Sequence, residues 1–150
     1  MQPEIAHREA LDVIGMELPL ATERPYLIMY AWIALAPRLG EVRGQVRPAT
    51  LYGVWNHHDD SPPSSYVVGV EVRPGTPAPP GLLSVHVPAG RYAVLRHRGN
   101  IGRIGETFRA LEEWFEQTGT PHVAAPVLEE YDTRQPLSDG YAFPIWMPTG

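Results

Sequence analysis

The sequence predicts an α+β fold built from two copies of one unit, its strands forming an antiparallel sheet with two main helices on one side. Three observations carry this reading. A proline-rich segment divides the chain nearly in half. The strand-like segments before it recur in the same order after it. Each half holds one stretch of helical apolar spacing between its early and late strands. Laying helices against antiparallel strands lets both bury their apolar sides, which is the logic of an α+β layer.

The divider is "VRPGTPAPPGLL", 72–83, with four prolines and two glycines. Proline lacks a backbone N–H and fixes its own φ, so this segment is neither a central strand nor a helix interior. It reads as a semi-rigid connector. The 150 residues therefore form one domain, with repeat halves at about 1–74 and 82–150 and a linker over 74–81.

In the first half, "EIAHREALDVIGMEL" (4–18) reads as a strand, a turn and a second strand. A helix follows over about 24–40. Pro25 suits its first position, Ile28, Trp32, Leu35 and Leu39 share one face, and Pro37 is expected to kink or end it. "ATLYGVWN" (49–56) and "YVVGVEVRP" (66–74) are strands. The second half repeats the order. "LSVHVPAGRYAVLRH" (83–97) is again strand, turn and strand, with "PAG" at the turn. The helix of about 100–118 carries Ile101, Ile104, Phe108, Leu111 and Phe115 at helical spacing and Gly119 as its C-cap. "APVLEEYD" (125–132) and "YAFPIWMP" (141–148) close the half. Each half is thus hairpin–helix–hairpin, and two such units side by side predict a pseudo-two-fold sheet with a central cleft, a common place for ligands.

Composition narrows the function. At 43% hydrophobic residues the chain has a globular core. Its longest apolar run, "YLIMYAWIALA" (26–36), is about half of the roughly 20 residues a membrane span needs. The N-terminus lacks the basic and apolar regions of a signal peptide, which predicts a cytoplasmic protein with no membrane association. There are no cysteines, so no disulfide or thiolate metal site. A net charge of −5 argues against direct nucleic-acid binding. "NHHDD" (56–60) offers His57, His58, Asp59 and Asp60, but adjacent ligands lack the spacing of a preformed metal site. "GNIGRIG" (99–105) matches neither the P-loop nor the dinucleotide fingerprint and reads as a strand-to-helix turn with Asn100 as N-cap. No serine or cysteine catalytic triad is evident. No metal or cofactor is expected.

The string "VPAGRYAVLRHRGNIGRI", followed by "LEEWF", "PVLEEYDTR" and "YAFPI", resembles the GyrI-like, or AraC effector-binding-type, small-molecule-binding family. The matching features are Gly90-Arg91-Tyr92, His97-Arg98-Gly99, Trp114 near the helix end, Pro126 to Tyr131, and Phe143-Pro144-Ile145, with "LYGVWN" and "YVVGVEV" fitting in the first half. Order and spacing, over roughly 4–148, make the resemblance. It implies a duplicated β-α-β-β (tandem SHS2) fold with a central cleft for small aromatic, often cationic or drug-like compounds. Some family members are fused to the DNA-binding domains of transcription regulators. Others stand alone as sequestering or gyrase-protecting proteins, and this chain reads as one of those. A protein partner such as gyrase or a regulator is the implied alternative to simple capture. A further subset resembles hydrolases of cyclopropane-bearing alkylating antibiotics; in that case Glu129 would activate water and Tyr131 would orient the electrophile.

Alternation splits "VLEEYD" into Val127, Glu129 and Tyr131 on one face and Leu128, Glu130 and Asp132 on the other. It does not say which face is covered. The resemblance does: the family's acid lies two residues before its Tyr, at Glu129. The internal repeat sets Gly53 against Glu129 and Trp55 against Tyr131. If the apolar faces Tyr66-Val68-Val70-Val72 and Tyr141-Phe143-Ile145-Met147 meet the helices, the opposite face lines the cleft. The expected lining is then Gly53, Trp55, Gly69, Glu71, Glu129, Tyr131 and Trp146. Trp32 and His97 are further candidates, each facing either cleft or core. A carboxylate among aromatic rings and glycines suits a flat organic cation: the acid supplies countercharge and the rings supply cation–π attraction.

Overall fold

The computed structural model describes residues 2–19, 28–56, 65–134 and 142–150. Its elements are β1 (Glu4–Arg8), β2 (Leu11–Pro19), α1 (Ile28–Leu35) with a 3-10 segment (Ala36–Glu41), β3 (Thr50–Asn56), β4 (Ser65–Val72), β5 (Leu83–Val87), β6 (Gly90–Arg98), a 3-10 turn (Ile101–Arg103) leading into α2 (Ile104–Thr118), β7 (Val127–Asp132) and β8 (Ala142–Pro148). The predicted α+β class holds. Eight strands form one antiparallel sheet in the order β1-β6-β8-β7-β3-β4-β2-β5, which is palindromic when equivalent strands of the two halves are matched. At its centre, β3 pairs with β7 and Gly53 faces Glu129. Among the described residues no helix is long and apolar enough to cross a membrane.

The first strands do not form the expected hairpins. β1 pairs with β6 of the other half, and β5 pairs with β2. The links explain this. A two-residue hairpin needs positive φ in its loop, hence Gly, Asn or Asp. The links here are Glu9-Ala10 and Pro88-Ala89. The chain therefore runs on instead of turning back, and its register continues through the break: Arg8 pairs with Gly90, and Leu11 with Val87.

This exchange curls the sheet. β1 and β2 are first and seventh in strand order. In a flat sheet they would lie about 29 Å apart at about 4.8 Å per step. The three peptide steps from Arg8 to Leu11 reach only about 11 Å. The two edges must meet, so the sheet acquires an inner and an outer side. The inner side packs on itself through Leu11, Val13, Tyr52, Val54, Val67 and Leu128, among others. Outside, Ala31 and Leu35 of α1 cover Tyr66, Val68 and Val70, while Leu111 and Phe115 of α2 cover Val127, Phe143 and Ile145.

Local chemistry sets the helix ends. Pro37 has no N–H to give back into α1, so the α-helix stops at Leu35 and the backbone tightens into the 3-10 segment. Gln45 Nε2 donates to the carbonyls of Leu39 and Val42 at 2.9 and 3.1 Å, closing that segment. Asn100 acts one turn earlier than predicted: its Oδ1 accepts from the Gly102 N–H at 2.7 Å, capping the 3-10 turn, while Arg103 is the N-cap of α2. Gly119 ends α2 at φ 65°, the left-handed C-cap expected of it.

Gly15 and Gly69 face each other where β2 meets β4. A Cβ on Gly69 would lie 2.3 Å from the Ile14 carbonyl oxygen, so the two backbones leave no room for a side chain. Gly69→Ala is expected to lower stability by at least about 1–3 kcal/mol, the usual cost of overpacking, as a reduced midpoint in urea unfolding.

Candidate functional site

The pairing of β3, β4, β7 and β8 brings one acid and several rings to the outer side of the sheet. Gly53 pairs with Val68 on one side and Glu129 on the other, and Trp55 pairs with Tyr66. Glu129 also pairs with Ile145. All these side chains therefore share the helix-covered face. Glu129 is 1% exposed.

Its carboxylate is held by three neutral donors. The Trp55 indole N–H donates to Oε2 at 2.6 Å, and the hydroxyls of Tyr66 and Tyr131 both donate to Oε1 at 2.7 Å. Gly53 makes the cage possible: a Cβ there would lie 1.9 Å from the Tyr66 hydroxyl oxygen and 2.8 Å from Glu129 Oε1. Aromatic contacts extend outward. Trp55 packs on Tyr66 at 4.5 Å and edge-on to Phe108 at 6.2 Å. Tyr131 packs on Phe143 at 4.4 Å and meets Trp32 of α1 edge-on at 5.6 Å. Trp32, Trp55 and Tyr131 are half-buried, so each keeps contact with solvent while Glu129 does not.

Electrostatically the site is unbalanced. Among the described residues no arginine or histidine pairs with Glu129. Burial raises its pKa, and the hydrogen bonds from Tyr131, Trp55 and Tyr66 oppose that rise without cancelling it. Burial and the nearby carboxylate in turn hold the hydroxyls of Tyr66 and Tyr131 well above the usual phenol range, so both remain donors.

The expected cleft lining is divided between two faces. Gly53, Trp55, Glu129, Tyr131 and Trp32 are brought together. Gly69, Glu71 and Trp146 are not: Gly69 pairs with Tyr52 and Trp146 with Leu128, which places them on the inner side. The expectation failed because it opposed an apolar face to a cleft face, whereas the curl buries both. Glu71 lies 4.0 Å from Arg47, and the Trp146 ring lies 4.4 Å beneath the Arg8 guanidinium. Glu130, also inner, accepts from Arg8 at 3.3 Å. His97 is a buried core residue beside α2. In the neutral ring, Nε2 donates to the Asn100 carbonyl at 2.9 Å and Nδ1 accepts from the Thr107 hydroxyl at 2.7 Å. His57, His58, Asp59 and Asp60, along with Pro25 and Tyr141, lie outside the described residues. Tyr66 was placed by its sequence pattern among ordinary core residues. Its opposition to Trp55 across β3 and β4 is what marks it as a cage member.

Comparison with known proteins supports a family assignment. The family model described as GyrI-like small molecule binding domain matches residues 1–149. Transcriptional regulator BrlR of Pseudomonas aeruginosa is 31% identical over 151 residues, covering 99% of this chain and 55% of BrlR, so the chain spans about half the length of that relative. The EcmrR C-terminal domain matches with a TM-score of 0.71 at 16% identity, covering 99% of this chain and 97% of that one. The structure of SAV2435 bound to tetraphenylphosphonium matches with a TM-score of 0.68 at 16% identity, covering 100% and 94%. At these identities the solved structures show a shared fold.

Tyr66→Phe should remove one of the donors that lower the Glu129 pKa while keeping the ring. The Glu129 carboxyl is then expected to titrate at higher pH than in the wild type, read from its side-chain ¹³C shift. Gly53→Ala should push the Tyr66 hydroxyl off the carboxylate and destabilise the fold by about 1–3 kcal/mol, measured by thermal unfolding.

Proposed function

The chain belongs to the GyrI-like small molecule binding domain family, and from that membership we propose that its Glu129 cage captures aromatic organic cations. One observation carries the reading: among the described residues, the buried Glu129 carboxylate is held only by neutral donors, with no cation beside it. Taking a carboxylate out of water is unfavourable unless it is paired. Hydrogen bonds from Trp55, Tyr66 and Tyr131 offset part of that cost and leave the charge itself uncompensated. A cation entering the cage would supply the missing charge.

The rings define the class of cation. Trp32, Trp55, Tyr131 and Phe108 offer broad apolar faces and few directional polar groups, which suits flat or phenyl-bearing ligands with delocalised charge. Each face adds about 0.5–2 kcal/mol of cation–π attraction. Because Glu129 has almost no exposure, a ligand reaches it by displacing the half-buried rings, Trp32 among them. The tetraphenylphosphonium held by SAV2435 is a compound of this class. BrlR is a transcriptional regulator, and capture of such a compound is the step by which an effector-binding domain would sense it. The same chemistry would serve sequestration.

Calorimetry with tetraphenylphosphonium and with neutral triphenylphosphine oxide tests the reading. Glu129→Gln should weaken the cation by about 10–100-fold, the equivalent of one charge-assisted contact, and leave the neutral compound nearly unchanged. Equal losses for both would reject the countercharge role. Trp32→Ala should weaken both compounds, because it removes apolar contact rather than charge.

The pH dependence follows from the raised Glu129 pKa. A carboxyl whose folded pKa lies above its unfolded value of 4.5 favours the folded state below that value, and this contribution is lost as pH rises through the folded pKa. Wild-type stability relative to Glu129→Gln should therefore fall as pH is raised above 4.5. Affinity for the cation should rise over the same interval, because only the ionised acid attracts it. Parallel denaturation and calorimetric titrations across pH read both trends.

A further inference from the structure

The inner side of the sheet holds three shielded side-chain atoms without a hydrogen-bond partner among the described residues: Arg8 Nε, Tyr52 Oη and Trp146 Nε1. All three belong to residues grouped around the Arg8–Glu130 pair. Arg8 gives both terminal nitrogens to Glu130 Oε1 at 3.3 Å and stacks over the Trp146 ring at 4.4 Å. Tyr52 is the register partner of Glu130, and Trp146 is the partner of Leu128, the preceding inner residue of β7. Tyr52 is wholly buried. A buried polar group left unpaired is costly, and native structures rarely tolerate one without an occupant. Three on residues grouped around one ion pair mark a candidate site.

We propose that this cluster is a second binding site, distinct from the Glu129 cage, for a neutral oxygen that accepts hydrogen bonds. The chemistry of the three atoms selects the occupant. Arg Nε–H and indole N–H can only donate. Burial and the Glu130 and Glu71 carboxylates push the Tyr52 hydroxyl up to about 12, so it too keeps its proton. The partner must therefore accept. The charged groups that act on Tyr52 are Glu130, Glu71, Arg8 and Arg47, two of each sign, so the surroundings favour neither cation nor anion. Two sources share this chemistry: an ordered internal water, or a hydroxyl or carbonyl of a small polar molecule. The site also includes Trp146, which the sequence had grouped with Glu129.

Tyr52→Phe in the full chain gives opposite outcomes for a filled and an empty site. If an oxygen is bound, loss of the hydroxyl breaks a hydrogen bond and the melting temperature falls. If the site is dry, the change removes an unsatisfied group and the melting temperature rises, which would overturn the proposal. A high-resolution crystal structure supplies a second, independent reading: density for an oxygen within hydrogen-bond distance of Trp146 Nε1 is expected, and an empty site would overturn it. Mass spectrometry of acid-denatured protein separates the sources. A stoichiometric organic compound identifies a ligand; density without one identifies water, and both support the site.

Discussion

The antiparallel ladder between β3 and β7 is the constraint on which the rest depends. It joins the two halves at the centre of the sheet and sets Gly53 directly opposite Glu129, on the pseudo-two-fold axis. The duplication is broken where it matters. A symmetric pair would set two carboxylates against each other across the ladder, and directly opposed like charges are destabilising. Here one half contributes an acid and the other contributes only backbone. The space of the missing Cβ is where the Tyr66 hydroxyl reaches Glu129. One glycine thus allows the carboxylate to be buried, and the arrival of Tyr66 allows it to be hydrogen-bonded once there.

What could be read from the sequence was local or periodic. The repeat, the core face of α2 and the Gly119 cap depend on neighbouring residues, and each stands where its spacing put it. Pro37 ended α1 for the same reason. What could not be read was non-local. Whether β1 turns back on β2 or runs on to pair with β6 is settled by closure of the whole sheet, although Glu9-Ala10 and Pro88-Ala89 carried the negative signal that neither link is a good hairpin loop. The division of the candidate site has the same origin. Alternation separates a wet face from a dry one when only one face is covered. The curl covers both, so Tyr66, Val68 and Val70 were rightly placed under the helices while Glu129, which shares their side, was placed opposite them. Glu129 itself was found by resemblance. Its position in the strand left Glu130 equally eligible.

Glu129 and Glu130 then show how topology divides labour between identical residues. Both are acids near the middle of β7, one residue apart and on opposite faces. Glu130 meets Arg8, and that meeting exists because β1 crosses into the other half and the sheet curls to bring it there. The closing ladder thus delivers a cation to the inner side. On the outer side the helices deliver apolar and aromatic residues: Trp32 from α1, Phe108 from α2. Among the described residues, Glu129 is consequently left with neutral donors alone. The strand exchange and the helix layer together decide which acid is already neutralised and which is not. An acid satisfied within the fold has little to offer a ligand. The difference in pairing between the two acids therefore follows from the route of the chain, and could not have been built into either residue by itself.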